Sequence, residues 1–557
     1  MKNKFFIKYL IFGIIISFFL SCQNDKKKET KEEKTDPVVM EKIKKFFKNP
    51  EKSSYQISPD GKYFSFKAPY ERRMNIFIQE IGKDKEIQLT KDTARDLSGY
   101  FWANNERILY LKDTGGDENF QLYGVNIDGT NLKALTAFEG VRTRIIDVLE
   151  DFPGWMTDHK GKLRVAFVSD GVNQSILYRK TEKEKFENVI TLNFKENLSP
   201  IFFDFDNGDI VYAASNLGRD KAAIIKYDLS KKKEIKEIFK HPEVDVYNLH
   251  YSRKRKVLTS ISYTTWKKQR HFLDKEVENL IKRLEKELKG YEVGITGISK
   301  DETKYMVIAY SDRSRGCYYF YDKKTDKLTK IHEIAPWLNE KELSEMKPIK
   351  YKSRDGFTIN GYLSLPKGKE KAKNLPVILN VHWGGKMQND LTDGVNWLIK
   401  KGIADKNRVA IYGASYGGYA TLAGLVHTPD LYACGIDYVG VSNLFTFMKT
   451  IPPYWSQYLA MLYEQVGHPQ KDSLLLAAKS PALNADKIKS PLFVAQGAKD
   501  PRVNIQESDQ MVKAMKKRGV VVEYMVKENE GHGFHNEENK FEFYEAMNKF
   551  LKKHMNK

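Results

Sequence analysis

Cysteine is scarce in this chain: three residues in 557, at positions 22, 317 and 434. So few thiols exclude a disulfide-built scaffold. Beyond Cys22, Cys317 and Cys434 leave room for one bridge, and two isolated cysteines read more simply as buried thiols. Charge gathered into one block is also lacking. The formal net charge is +20, but the lysines are scattered in short KKK and KDK runs, which read as a solvated face and not as a nucleic-acid site. Long apolar runs are scarce too. IFGIIISFFL at 11–20 is too brief to span a bilayer comfortably.

That run has a specific context. Lys2, Lys4 and Lys8 precede it, and Ser21-Cys22 closes it. A basic start, a short apolar core and a small residue before cysteine describe a lipoprotein signal peptide over 1–21, with Cys22 as the lipidated residue. Phe19 stands where such signals more often carry leucine, and a plain membrane anchor is the alternative reading. Residues 22–37, nearly all Lys, Glu, Asp, Asn and Thr, cannot bury a core and are expected to form a flexible tether. The folded part is then expected to sit on a bacterial membrane, facing the periplasm or the exterior.

The chain is too long for one core, and two domains are the natural partition. From about residue 50 to 335 one pattern recurs: a polar turn, an alternating or apolar strand, a second strand and another turn. SPDGKYFSF at 58, WANNERILYL at 102, TDHKGKLRVAFV at 157, FDNGDIVYAAS at 205, YSRKRKVLTSIS at 251 and SKDETKYMVIAYS at 299 are its units. Most are spaced by roughly 44 to 48 residues, the size of a four-stranded propeller blade. The stretch VRTRIIDVLEDF (141–152) breaks off at Pro153-Gly154 before a blade can form. The expectation is a β-propeller over 38–345 with about seven blades, one of them truncated. LDKEVENLIKRLEKELKG (273–290) carries leucines at helical spacing and predicts an inserted packing helix. From 346 to 557 a hairpin gives way to strands alternating with helices, predicting an α/β-hydrolase domain.

The chemistry is concentrated there. RVAIYGASYGGYATLAGLV places Gly413-Ala414-Ser415-Tyr416-Gly417 between an apolar strand and a helix. The pattern G-x-S-x-G alone arises by chance in roughly one chain in five of this length. Set on a strand-to-helix turn it becomes a nucleophile elbow, where crowding demands glycine and the amide of Tyr416 with the helix N-terminus faces a developing oxyanion. A serine nucleophile needs a base, and the base an orienting acid. Asp500 follows the strand in SPLFVAQGAKDPRV, and His532 lies between glycines after the strand in VVVEYMVKENEGHGFHN. Ser, Asp, His is the chain order of an α/β-hydrolase. His535 is a second candidate base, whereas His427 and His468 fall in surface or packing segments.

Gly413-Ala-Ser-Tyr-Gly-Gly-Tyr-Ala, Gln496-Gly-Ala-Lys-Asp-Pro-Arg-Val and Glu530-Gly-His-Gly-Phe resemble the prolyl oligopeptidase family of serine peptidases, especially its acylaminoacyl-peptidase and dipeptidyl-peptidase-like members. The resemblance covers most of the chain, since that family places a propeller before its hydrolase domain. It implies Ser415 as nucleophile, His532 as general base and Asp500 as its orienter, with short peptides as substrates and neither metal nor cofactor. Residues 443–463 would then supply pocket walls, Tyr454, Trp455 and Tyr458 among them, although these aromatics could equally be core.

The chain departs from the family at ILNVHWGGKMQND (378–390). In the family the strand equivalent to Val377–His382 runs into a His-Gly-Gly-Pro-like loop, a helix, another strand and a further connection before a segment like Trp383-Gly-Gly-Lys appears. Here His382 meets Trp383 directly, so a second oxyanion donor is expected to be missing unless the backbone of Trp383 or Gly384 substitutes. Two internal losses are inferred, here and after Phe152, each of tens of residues. A weakened peptidase is the leading expectation. An esterase, and a catalytically degenerate propeller-based binding protein, are the alternatives.

Overall fold

A computed structural model describes residues 36–136, 138, 141–143, 154–381 and 387–556. The lipidation site Cys22, the broken stretch around Phe152 and the junction at His382-Trp383 lie outside them. Among the described residues no helix is long and apolar enough to cross a membrane.

Helix α1 (Pro37–Phe47) opens the described chain. The Asp36 side chain accepts from the Val38 amide and Pro37 fills the first turn, where its missing N–H costs nothing. Six antiparallel sheets follow, over 53–88, 99–134, 155–192, 198–239, 248–272 and 292–333, each a simple meander in which consecutive strands pair. Five have four strands and the fifth has three. The first and sixth meet through a shared core of Tyr55, Phe64, Phe66, Met306 and Tyr318, and Thr296 Oγ1 donates to Tyr55 O, so the last sheet returns to the first. This is propeller architecture. The described residues hold six sheets where the sequence spacing suggests about seven with one truncated. Helix α2 (Lys275–Glu287), capped by Asp274, buries Leu280, Ile281 and Leu284 against the sixth sheet, the packing role its leucine spacing predicts.

A two-stranded hairpin (Met346–Lys352 with Thr358–Ser364) leads into a five-stranded parallel sheet. Its strands, in spatial as in chain order, are β1 (Leu375–Val381), β2 (Ala404–Ala414), β3 (Cys434–Tyr438), β4 (Leu492–Gly497) and β5 (Val522–Lys527). Helix α3 (Met387–Lys400) connects β1 to β2, and α4 (Tyr416–His427) follows β2. One helix between adjacent parallel strands is the shortest crossover available, so the sheet closes although β1 runs almost directly into α3. Helix α5 (Ile505–Lys517) packs on one face, and the C-terminal α6 (Glu537–Met555) on the other through Phe543, Met547 and Phe550.

The two domains are tied at several points. Within the span read as propeller, α1 lies against α6, with Phe47 stacked on Tyr544 at 3.5 Å between ring centroids. Trp337, beyond the sixth sheet, donates from Nε1 to Lys45 O. Arg73 of the first sheet forks onto Glu538 of α6 at 2.6 and 3.1 Å.

Candidate active site

Strand β2 ends at Ala414 and α4 begins at Tyr416, so Ser415 alone makes the turn. Its backbone sits at φ 59°, ψ −118°, a conformation costly for a residue with a Cβ and held only when its surroundings enforce it. They do. The Ser415 amide donates to Tyr438 O at 2.9 Å, tying the turn to β3. A Cβ on Gly413 would strike the carbonyl of Gly417, and one on Gly418 would strike Asp437 and Gly440. Along α4, Gly417, Gly418 and Ala420 through Val426 are buried, so the helix cannot shift to relieve the turn.

His532 lies over the serine. Its Nε2 is 2.9 Å from Ser415 Oγ, and its Nδ1 is 2.7 Å from Asp500 Oδ2. An ionised carboxylate only accepts, so Nδ1 carries the proton and Nε2 presents its lone pair to the serine hydroxyl. Asp500 is buried, and its other oxygen accepts from the Arg502 and Val503 amides at 2.9 Å each. These bonds fix the carboxylate and so the ring. The structure thus brings together Ser415, His532 and Asp500. His535 lines the same cavity but turns elsewhere: its amide donates to Glu530, and burial beside the Arg95 charge holds its pKa below the ordinary histidine value. Tyr416 follows Ser415 in the first turn of α4. The backbone in which the second oxyanion donor was sought, Trp383 and Gly384, lies outside the described residues.

A cavity of about 520 Å³ opens at His532, walled on the propeller side by Lys67, Arg95, Asp113, Gly116 and Glu118, and on the other by Arg502 and His535. Glu118 is a residue that sequence reasoning missed. It sits in a loop of the second sheet at φ 57°. One oxygen meets Arg502 Nε at 2.8 Å; the other accepts from Arg142 Nη1 at 2.9 Å and Tyr454 OH at 2.8 Å. Burial pushes its pKa up, but the hydrogen bonds from Arg502 and Tyr454 and the two guanidinium charges outweigh this, and the net shift is downward. The same loop bears on the segment that carries His532: a Cβ on Gly116 would lie 2.5 Å from the Gly531 amide nitrogen. Arg95 spans from Asp113 (3.5 Å) to Glu530 (3.7 Å), and Glu530 accepts from the amides of His535 and Asn536 and the side chain of Asn539.

Of the expected wall residues, Tyr454 reaches the cavity's edge through Glu118, with Arg142 over its ring at 4.4 Å. Trp455 meets Tyr454 edge-on, but neither it nor Tyr458 lines this cavity. The one local signal for the propeller loop was its glycine pair, Gly115-Gly116, both at positive φ. Among the described residues no group of three or more His, Cys, Asp or Glu side chains is placed to hold a metal ion.

Comparison with known proteins agrees with this geometry. The profile of the prolyl oligopeptidase family matches residues 367–557. Dipeptidyl aminopeptidase BIII of Pseudoxanthomonas mexicana is 30% identical over 607 aligned positions, covering 91% of this chain and 87% of that protein. Dipeptidyl peptidase family member 6 of Caenorhabditis elegans is 25% identical, covering 91% and 85%. In fold, a puromycin-hydrolysing peptidase of Mycobacterium tuberculosis superposes with a TM-score of 0.69 over 92% of this chain and 96% of its own, at 14% identity. A prolyl endopeptidase gives 0.70 over 93% and 91%, also at 14% identity. By its similarity along nearly its whole length to a relative of this kind, the chain belongs to the prolyl oligopeptidase family of serine peptidases.

Proposed function

We propose that the chain hydrolyses short peptides through an acyl-enzyme. The observation that carries this is the unbroken relay from Asp500 through His532 to Ser415, at 2.7 and 2.9 Å. Ser415 Oγ attacks the peptide carbonyl carbon while His532 Nε2 takes its proton. Asp500 keeps the ring oriented and stabilises the imidazolium. As the tetrahedral intermediate collapses, the C–N bond breaks and that proton passes to the leaving amine. Water then repeats the sequence on the ester, freeing the acid and restoring the serine.

Turnover is proposed to be weakened. The amide of Tyr416 supplies one oxyanion donor; the second would come from a loop the sequence lacks between His382 and Trp383. Support comes from the match to the bacterial dipeptidyl aminopeptidase, whose 607 aligned positions exceed the 557 residues of the chain, as internal losses require. One absent donor lowers turnover by about 10²- to 10³-fold. Reactive esters need less oxyanion help than amides, so the same observation favours a second reading, in which ester hydrolysis dominates.

The specific peptide reaction we propose is dipeptide release, the activity in the names of two relatives. Glu118 holds a carboxylate on the propeller side of the cavity that contains His532; it is proposed to take the ammonium of a short substrate beside its bonds to Arg502, Arg142 and Tyr454. Dipeptidyl anilides with free and with acetylated N-termini, assayed beside an aryl ester, separate the readings. Hydrolysis of only the free dipeptides supports dipeptide release, equal hydrolysis of both overturns it, and activity confined to the ester leaves the esterase. Lipidation at Cys22 is proposed to hold the enzyme on the membrane; a Cys22→Ala chain appearing in the soluble fraction is the expected result, and unchanged membrane association would count against it.

A further inference from the structure

Beneath the elbow lies a second pair of buried acids that the relay does not use. Glu507, on α5, is well provided for. It accepts from the amides of Ser442 and Asn443 at 2.9 and 2.8 Å and from the Thr446 hydroxyl, while the Ser442 hydroxyl donates to its backbone carbonyl at 2.6 Å. Burial raises its pKa, and these three donors offset part of that rise. Asp437, on β3, is fully buried, and among the described residues no side chain answers either of its oxygens; only the Gly440 amide bears on it.

Its place is unusual. Asp437 pairs in register with Gly413 of β2 and Val494 of β4. Its Oδ1 lies where a Cβ would stand on Gly418, in the first turn of α4, or on Gly440, just beyond β3. The carboxyl therefore fills the space at which nucleophile helix and β3 cross. The next residue, Tyr438, accepts the Ser415 amide through its carbonyl and the Phe534 amide, in the histidine loop, through its hydroxyl. One side chain thus stands behind both the turn that carries the nucleophile and the segment that anchors the base. An unanswered hydroxyl here is far cheaper than an unanswered charge.

We infer that Asp437 is a positioning residue for Ser415, a neutral carboxyl packed between Gly418 and Gly440, and that placing a charge on it weakens oxyanion stabilisation at the elbow. A carboxylate there would compete with the oxyanion for the same positive end of α4 and repel it from a buried position. The titratable groups that face it are Glu507 from α5 and Tyr524 from β5, while β2, β4 and α4 offer Gly413, Val494 and Gly418. Burial foremost, offset in part by the Gly440 amide and reinforced by the Glu507 charge, pushes the Asp437 carboxyl up to about 7, so the neutral form gives way on the alkaline side.

The test is the pH dependence of the second-order rate of fluorophosphonate labelling at Ser415, in the wild type, Asp437→Asn and Glu507→Gln. Labelling requires the nucleophile, its base and the oxyanion donors at the elbow but no peptide side-chain pocket, so peptide preference does not enter. The wild-type rate should fall about fivefold or more toward pH 9.5 while intrinsic fluorescence stays native. Asp437→Asn, neutral at every pH, should keep the neutral-pH rate within about threefold and lose the alkaline fall. Glu507→Gln removes a neighbouring anion, and should move the fall to lower pH. A wild type without the fall, a fall unchanged in Asp437→Asn, or an Asn variant slowed equally at every pH would overturn the inference; if that variant does not fold, a fall unmoved in Glu507→Gln would do so.

Discussion

The proposed nucleophile, Ser415, and the proposed base, His532, are held by different means. Ser415 is fixed from within the hydrolase domain. Its amide bonds to Tyr438 O, its turn is clamped by contacts that tolerate no side chain at Gly413 or Gly418, and α4 is buried along most of its length. The loops of His532 and Asp500 also lean on the propeller. Gly531 abuts Gly116, Glu530 faces Arg95, and Arg502, two residues beyond Asp500, reaches Glu118. An internal tie, from the Phe534 amide to the Tyr438 hydroxyl, links the two halves. The elbow is therefore preformed, whereas the relay is completed by docking of the domains, and separation of the domains should loosen His532 before it touches Ser415.

The largest effect should come from the preformed half. Ser415→Ala should lower kcat/KM by about 10⁴-fold or more, with circular dichroism and melting temperature unchanged or slightly improved as the strained residue loses its hydroxyl but keeps its fold. Next is the docked half. In Gly531→Ala a Cβ would collide with the Gly116 carbonyl. A displacement near 1 Å at a catalytic group costs about 10²-fold in rate, so kcat should fall by about that factor. The elbow should survive, and hydrogen exchange of α4 should match the wild type while that of 530–535 rises. Equal loss of protection in both segments would erase the distinction between the two halves.

The smallest effect concerns docking at a distance from the chemistry. The Arg73 guanidinium beside Glu538 holds its carboxyl at about 2, against the usual value near 4.5. A depressed folded-state pKa contributes stability above the unfolded value, lost as pH falls through the folded one. Arg73→Met should therefore lower stability by about 1 kcal/mol at pH 7, with the gap from wild type narrowing as pH falls from about 4.5 toward 2. Thermal melts across that range check the sign; a gap that widens in acid would contradict it.

Local pattern made much of this legible. The elbow could be read because a turn without room for side chains enforces glycine within five residues. Asp500 and His532 could be read because each comes after an apolar strand, and parallel strands all deliver their C-terminal loops to one edge of the sheet. The inserted helix α2 announced itself through its leucine spacing. The hidden features depend on distant pairing. Nothing around Glu118 says that it will meet Arg502, 384 positions later, nor does an arginine after Ala94 betray that it will face Glu530. Asp437 was obscured differently. In CGIDY (434–438) an acid near a strand end looks like an exposed boundary residue, and only the strand's central place in the sheet buries it. The blade number was the least legible feature, because spacing counts turns and strands but not which sheet a broken stretch such as 141–152 joins.

The most direct test of the central claim is fluorophosphonate labelling of the chain from Gln23 onward, beside Ser415→Ala and an unfolded control. Labelling of the native wild type alone would show that elbow, base and oxyanion site are assembled as the relay distances require. A folded wild type that takes up no label would contradict the account, leaving the geometry of Ser415, His532 and Asp500 without the chemistry assigned to it.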